Sequence, residues 1–379
     1  MAKKMQRTEL QNELLQALSA ALTHSTVSLP TGVVIDEARH QAVLSLICSD
    51  VEALSIIANN VQLMWEQEKL CEVLYEIPFL VLKGSCTAIY YPEPLRRMLG
   101  DIDLLVAPDS FLNAYHALEA AGYQTSDPID GSARHVHFSR GGASIELHRR
   151  FAILQTKEQE ALLDNWLYNA KKVTGKIGKY TFPMPNEQLN GLVLLAHINQ
   201  HLEEGLGLRQ LLDFVMFIKR SLSDDAWPAF KDKTDQLGLT TLAKVVGKLG
   251  QMYLGLDSTI AWCADAKEST VEKLLDYAFE CGNFGHKDSA NNTITMVMSH
   301  GRGLKGFFCN LQRQGENNWD KLKTQPWLRP VAWIYQLGRY IKRGLRVSNL
   351  REIYSDIAAS KRRNQLLDEL EATRMAYRD

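Results

Sequence analysis

The sequence predicts an α+β fold in which a sheet with flanking helices lies between a helical N-terminal segment and a larger helical C-terminal domain. Two observations predict the helical parts: apolar residues recur every three or four positions through the first 75 residues and again, almost without interruption, from residue 187 onward. The third observation predicts the sheet, because short apolar runs of strand length lie between these parts and are separated by Gly and Pro turns. We therefore expect three regions, 1–75, 76–185 and 186–379.

The composition is that of an ordinary soluble protein. The chain has 379 residues, 45% of them apolar and 23% charged, with a net charge of −1, so no overall charge indicates a nucleic-acid or acidic partner. The six cysteines never form a C-x-x-C pair, which disfavours a structural zinc site and a disulfide framework. Since no apolar window is long enough to span a membrane and the first residues lack a signal core, we expect a cytoplasmic location.

The first elements follow from local spacing. Residues 8–22 and 36–76 have the helical period, and the apolar run 79–82 that follows has the length of a strand. A Lys-Gly turn comes next, and Ser85, a good capping residue, predicts the start of a helix that continues to Tyr90 or Tyr91. The order strand, glycine turn, helix is thus expected.

The remaining strands follow from alternation. An Asp-Ile-Asp sequence opens a second apolar run at 104–106, and a helix is expected over 108–121. Residues 135–139 and 144–148 alternate on either side of an Arg-Gly-Gly turn, which predicts a β-hairpin. A last strand is expected over 179–183, before the pattern becomes helical.

Two aspartates precede the second predicted strand. Because side chains alternate along a strand, Asp101 and Asp103 are expected on one face while Ile102 packs behind them. Two carboxylates about 4 Å apart repel by roughly 4 kcal/mol at an effective dielectric of about 20, so a bound cation would stabilise them. Oxygen ligands favour Mg²⁺ or Mn²⁺, although an isolated D-x-D is also common at solvated strand ends. Glu146, on the polar face of the hairpin, is expected to supply a third carboxylate to a two-metal arrangement.

The turn before Ser85 is suited to phosphate. Gly84 would let the backbone approach the β- and γ-phosphates of a nucleotide, and Ser85 would add its hydroxyl. Lys83 and Arg97 are expected either to contact phosphate or to pair with surface acids.

A set of short motifs resembles the DNA polymerase β-like nucleotidyltransferase superfamily and, more closely, its bacterial branch of "uncharacterised nucleotidyltransferase" proteins. The matching residues are Leu82-Lys83-Gly84, Tyr91-Pro92, Arg97, Gly100-Asp101-Ile102-Asp103-Leu104-Leu105-Val106 and Ile145-Glu146-Leu147-His148. The resemblance implies a polymerase β-like core with a mixed sheet, Gly84 and Ser85 as its Gly-[Gly/Ser] motif, and Asp101, Asp103 and Glu146 as its catalytic metal ligands. It also implies transfer of a nucleoside monophosphate from an NTP, by default ATP, to a hydroxyl with release of pyrophosphate.

The likeness continues into the helical region. Residues 194–197, 201, 209 and 211–213 look like the helical segment that follows the core in this branch, and residues 325–330 are similar less specifically. His197, His201 and Arg209, followed by Asp213, are expected to form a polar cluster that lines a cleft and contacts nucleotide or acceptor, or else a buried structural network.

Three further histidines have two interpretations. His135, His137 and His148 lie in the predicted hairpin. They either flank the active face or merely form hydrogen bonds within the fold.

The late part of the chain is basic. Residues 302–363 hold fourteen Lys or Arg against four Asp or Glu, an excess of ten positive charges, with aromatic residues between them. This pattern fits a helix that binds RNA or a membrane surface, but a solvated helical face with inward aromatics is the more usual outcome.

Two functions from different classes remain open. The first is a nucleotidyltransferase that depends on Mg²⁺ or Mn²⁺ and uses an unknown hydroxyl acceptor. The second is a nucleotide-binding regulatory or toxin–antitoxin-type protein with little turnover. Neither the acceptor nor the oligomeric state follows from the motifs, since acceptor sites are built from variable elements.

Overall fold

The computed structural model describes residues 8–23, 32–127, 134–151, 153–283 and 361–372. The helices before the first strand are α1 (Glu9–Thr23), α2 (Gly32–His40), α3 (Leu44–Ile47) and α4 (Asp50–Val73). The first sheet is built from β1 (Phe79–Leu82), β2 (Ile102–Val106), β3 (His135–Arg140) and β4 (Ala143–His148). Between these strands lie α5 (Gly84–Ala88), α6 (Phe111–Ala120) and two short 3₁₀ turns, Pro94–Arg96 and Pro108–Ser110.

Helices dominate the second half of the described chain. After α7 (Lys157–Tyr168), a small hairpin is formed by β5 (Val173–Ile177) and β6 (Tyr180–Met184). The helices that follow are α8 (Glu187–Glu204), α9 (Leu208–Ser221), α10 (Trp227–Leu237), α11 (Thr240–Tyr253) and α12 (Glu268–Cys281). Residues 361–369 are also helical. The α+β class is thus confirmed.

The main sheet is mixed, as expected. Its strand order is β1-β2-β4-β3, with β1 antiparallel to β2, β2 parallel to β4, and β4 antiparallel to β3. The predicted β-hairpin of residues 135–148 is the β3–β4 pair. A parallel pair needs a long connection, and the segment containing α6 and β3 provides it here.

The two faces of this sheet have different surroundings. One face carries the apolar residues Val81, Ile102, Leu104, Ile145 and Leu147, which are buried in a core that they share with α4 and α6. On the opposite face, one part is apolar and packs into a second core. Polar side chains occupy the rest of it, because period-two alternation places every second residue there.

The second apolar core joins distant segments. It contains residues of α1 and α2 together with residues of α7 to α12 and of the helix at 361–369. The N-terminal helices thus pack with the C-terminal helices rather than alone, while α4 packs with the sheet. The expected boundaries near residues 75 and 185 stay predictions.

The small hairpin was predicted only in part. The strand expected over 179–183 is β6, whereas its partner β5 was not predicted, because three of its five residues are exposed and it lacks a clear apolar alternation. Gly175 in β5 has a packing role: a Cβ atom there would lie 2.3 Å from the Phe182 ring. The aromatic ring covers the strand only because this position has no side chain.

Two further expectations concern parts of the chain outside these elements. Residues 302–363, the basic region, lie outside the described residues except for the last three, and residues 325–330 lie outside them entirely. Among the helices that the structure describes, none is long and apolar enough to cross a membrane.

Candidate functional site

A row of polar side chains crosses the sheet from β1 to β3, and strand register creates it. Leu82, the last residue of β1, pairs with Asp103 of β2, so Lys83 follows directly beside that aspartate. Asp103 pairs with Glu146 of β4, and Glu146 pairs with His137 of β3. The expected common face of Asp103 and Glu146 is therefore present.

Asp103 is the centre of this row. Lys83 Nζ lies 2.7 Å and His148 Nε2 lies 2.9 Å from the same Asp103 oxygen, Oδ1. His148 Nε2 also lies 3.1 Å from Glu146 Oε2. Since both contacts to Asp103 use Oδ1, they do not engage the second oxygen of its carboxylate.

The pKa values reflect this cluster of opposite charges. Burial opposes the charge of Lys83, yet Asp103 and Glu146 outweigh burial and raise its pKa. Burial likewise opposes the charged form of His148, and its hydrogen bonds with Asp103 and Glu146 nevertheless raise its pKa. For Glu146, burial is outweighed by His148 and Lys83, which lower its pKa. Each of the three groups is thus stabilised in its charged form.

Asp101 is the exposed residue directly before β2. Its pKa is raised, first by the partial burial of its carboxyl and then by the negative charges of Glu146 and Asp103, against a hydrogen bond with Ser144. Glu146 and Asp103 thus act on Asp101 electrostatically. Among the described residues, the group whose ligand atoms all lie within 4.8 Å of one another is His135, Glu146 and His148, not the three carboxylates. The carboxylate oxygens of Asp101, Asp103 and Glu146 are ligands of the kind that Mg²⁺ and Mn²⁺ prefer.

The turn after β1 has an unusual backbone. Lys83 adopts φ 51° and ψ −141°, and Gly84 has φ 32°. A Cβ atom on Gly84 would lie 3.8 Å from the carbonyl oxygen of Asp101, so the turn packs closely against the start of β2. Positive φ at a non-glycine residue costs of the order of 1–3 kcal/mol and is concentrated at functional sites.

Ser85 does not cap the helix, contrary to expectation. Lys83 is the residue before α5, and this helix ends at Ala88 rather than at Tyr90 or Tyr91. The Ser85 hydroxyl is buried and donates a hydrogen bond to Gln67 Oε1, 2.8 Å away in α4. A phosphate contact by Ser85 stays a prediction.

Asn60 of α4 holds the segment that leads into β2. Its amide donates to the carbonyl oxygens of Leu95 and Arg97 at 2.8 and 3.0 Å, and its Oδ1 accepts from the Leu99 N–H at 3.0 Å. Sequence reasoning missed both Asn60 and Gln67. The sequence did carry a signal for them, because these two amide residues lie seven positions apart within the mainly apolar stripe of a predicted helix.

The helical part provides the second wall of the site. His197 and His201 of α8 contact each other through Nε2 atoms 2.8 Å apart. Burial, followed by the nearby His201 and Lys83, lowers the pKa of His197 well below its usual value. Burial and Lys83 lower the pKa of His201 to about 3. Both imidazoles are therefore neutral at neutral pH.

A buried ion pair lies beside these histidines. Asp213 of α9 accepts from Arg97 Nε at 3.0 Å, from Arg97 Nη2 at 2.5 Å and from the Tyr91 hydroxyl at 2.8 Å. Burial and the neighbouring Arg97 lower the pKa of Arg209 to about 10. Arg209 also interacts electrostatically with Asp101, and Lys83 and Glu146 act on His201, so the charges of the helical wall and of the acidic row influence one another.

The structure thus brings most of the expected site residues together and gives two of them other partners. The acids and the basic or imidazole groups near one another are Asp101, Asp103, Glu146, Lys83, His197, His201 and Arg209. Arg97 and Ser85 are engaged by Asp213 and Gln67. The roles proposed for all of these residues in nucleotide or metal binding stay predictions.

Comparison with known proteins shows the family of the chain. The family model described as "Uncharacterised nucleotidyltransferase" matches residues 16–255, which include the whole sheet and the helical wall. Searches of curated proteins and of solved structures gave no match. Because the family model covers more than half of the chain, the protein belongs to the uncharacterised nucleotidyltransferase family.

Proposed function

We propose that the protein transfers a nucleoside monophosphate, with AMP as the first expectation, from an NTP to a hydroxyl of an acceptor and releases pyrophosphate. One observation carries the proposal: Asp103 pairs with Glu146 in the strand register, and the charges on this face interact with Asp101, with His201 of α8 and with Arg209 of α9. We place the reaction in the cytoplasm, where NTPs are abundant.

The acidic row suits the metal requirement of such a reaction. Asp101, Asp103 and Glu146 would hold Mg²⁺ or Mn²⁺, which when bound neutralises phosphate charge and lowers the pKa of a coordinated hydroxyl. Because the pKa of Glu146 is lowered, this residue stays ionised at neutral pH and acts as a ligand and hydrogen-bond acceptor. A group with so low a pKa is a weak proton acceptor.

The basic groups suit the triphosphate. Lys83 and Arg209 would donate to non-bridging phosphate oxygens, which carry the charge that develops during transfer. The acceptor oxygen forms a bond to the α-phosphorus as the bond from that phosphorus to the bridging oxygen breaks, and the hydroxyl proton leaves to solvent. The neutral imidazoles of His197, half-buried, and His201, buried, would line the cleft as hydrogen-bonding groups without adding charge.

Replacement of one central acid tests the proposal. Asp103→Asn removes one negative charge with little change of shape, and we expect it to lower metal-dependent pyrophosphate release by about 100-fold or more, since such an ion supplies several kcal/mol. The matched control is Asp109→Asn, an exposed aspartate three residues after the strand, which should keep full activity.

The acceptor is unknown, so binding is measured as well as turnover. Calorimetry with a non-hydrolysable ATP analogue should show binding that needs Mg²⁺ or Mn²⁺ and that Asp103→Asn weakens at least about tenfold. Products are sought by mass spectrometry across sugars, antibiotics, lipid precursors, proteins and tRNA. Full activity or unchanged metal-dependent binding in Asp103→Asn would overturn the proposal. Metal-dependent binding without any product would favour the regulatory protein.

A further inference from the structure

A group of histidines lies on the polar face of the sheet beside Glu146. His135 and His137 are two residues apart in β3 and therefore project from the same face. In the antiparallel β3–β4 pair, His135 is opposite His148 and His137 is opposite Glu146. Directly opposite residues in such a pair have Cβ atoms about 5 Å apart. Four side chains with metal-binding atoms thus occupy one compact square.

The donor atoms of this square converge. One ligand atom each from His135, Glu146 and His148 lies within 4.8 Å of the other two. His148 Nε2 is 3.1 Å from Glu146 Oε2, and His135 Nε2 is 3.0 Å from His137 Nε2. Two ligands about 2.0–2.2 Å from a shared ion are separated by roughly 3.0–3.5 Å. These separations fit hydrogen bonds and also fit ligands that meet at one ion. A bound ion would take the place of the proton that His148 shares with Glu146, and a side-chain rotation would close the widest separation.

Donor chemistry changes across the sheet. At β2 the donors are the carboxylates of Asp101 and Asp103, whereas at β3 they are the imidazoles of His135 and His137. Glu146 lies between the two sets, next to Asp103 on one side and His137 on the other. Mg²⁺ selects oxygen ligands, while imidazole nitrogen favours divalent transition metals such as Zn²⁺, Fe²⁺ and Co²⁺.

We infer that His135, Glu146 and His148, with His137 as a further donor, form a site for a divalent transition metal ion next to the oxygen-ligand position of Asp101 and Asp103. Glu146 is the carboxylate that the two positions share. Any part this ion plays in nucleotidyl transfer rests on the proposed function, but its binding does not. The site lies toward the outer strand of the sheet, where the His137 side chain is 53% exposed, so solvent ions can reach it.

Cobalt is the probe for this site. The full chain, stripped with a chelator, is titrated with Co²⁺ while visible absorption reports the bound ion, and Zn²⁺ or Mg²⁺ is then added as competitor. We expect one Co²⁺ to bind, Zn²⁺ to displace it, and millimolar Mg²⁺ to leave it in place. His135→Ala should weaken Co²⁺ binding at least about tenfold.

Two control variants distinguish this site from Co²⁺ bound at a surface histidine or at the oxygen-ligand position. His116→Ala removes a histidine whose side chain is 63% exposed on α6 and should leave Co²⁺ affinity unchanged. Asp101→Asn should also keep Co²⁺ affinity, although the proposed function expects it to lose nucleotidyl transfer. If the unmodified protein binds Co²⁺ but transfers no nucleotide, this inference stands and the proposed function does not. If the protein transfers a nucleotide but its Co²⁺ binding does not depend on His135, the proposed function stands and this inference does not.

A measurement on the unmodified chain guards against variants that fail to fold. Bound Co²⁺, examined by pulsed electron paramagnetic resonance, should show coupling to ¹⁴N of a directly coordinated imidazole. Absence of that coupling, or a Co²⁺ affinity that is the same in folded His135→Ala as in the unmodified protein, would overturn the inference.

Discussion

The ion pair between Arg97 and Asp213 should be one of the most stability-sensitive contacts in the described chain. Both side chains are buried, and the pair joins the segment before β2 to α9 across 116 residues of sequence. Asp213 also accepts the Tyr91 hydroxyl and interacts electrostatically with Arg209. One carboxylate thus offsets the charge of two buried guanidinium groups.

Asp213→Asn tests this arrangement. The amide keeps the shape of the side chain but removes its charge and places an N–H₂ group near Arg97, so the guanidinium is left buried without its counter-charge. Removing one partner of such a pair costs about 3–5 kcal/mol. Native domains are stable by about 5–15 kcal/mol, so the loss would be a large fraction of the total.

Urea unfolding followed by circular dichroism at pH 7 measures the effect. We expect the free energy of unfolding of Asp213→Asn to fall by about 3–5 kcal/mol with little change in the urea dependence. The exposed Asp225→Asn, a matched change in the loop after α9, should stay within about 0.5 kcal/mol of the unmodified protein.

A double variant decides whether charge is the cause. Arg97→Met combined with Asp213→Asn removes both charges, and it should be less destabilised than the sum of the single variants by about 2–3 kcal/mol. A loss below about 1 kcal/mol in Asp213→Asn, or additive effects in the double variant, would refute the reasoning.

Two further predictions concern the site. The pKa of His201 is about 3 in the folded protein and about 6.5 when unfolded, so the unfolded chain binds more protons between these values and stability falls as the pH falls. This difference in pKa alone lowers the free energy of unfolding by about 2 kcal/mol between pH 7 and pH 5. Urea unfolding of His201→Gln at the two pH values should lack this part of the decrease. An equal decrease in the variant and the unmodified protein would contradict the prediction. Lys83 has a φ of 51°, which glycine adopts without strain. The free energy of unfolding of Lys83→Gly, measured with urea, should therefore be about 1 kcal/mol higher than that of Lys83→Ala, although both variants lose the contact with Asp103. An alanine variant as stable as the glycine variant would show that the turn is not strained.

Local patterns were sufficient to predict the main sheet and the acidic face. A strand has period two, so alternation alone states which residues share a face. The strand at 79–82, the strand that follows Asp101 and the hairpin were all predicted, and Asp103 and Glu146 lie on one face as expected. Alternation also placed the hairpin histidines near that face, though it could not decide between a functional and a structural role.

Contacts between distant segments could not be predicted in the same way. Arg97 was expected at phosphate or at a surface acid, and the acid with which it pairs, Asp213, lies in the interior. The apolar residues of α1 and α2 enter the core of the C-terminal helices, a pairing that was not predicted. In both cases the periodicity of one segment shows that a face is buried but not which other segment covers it.

Strand register explains why the acidic row depends on residues that carry no charge. Glu146 lies beside Asp103 only because Ile145 and Leu147, both 0% exposed, occupy the apolar core behind β4. A slip of one residue would turn Glu146 into that core and expose the two apolar neighbours, which combines the loss of their burial with the cost of a buried carboxylate. The same holds in β3, where Val136 separates the two outward histidines. The apolar residues of one face therefore fix the spacing of the chemical groups on the other.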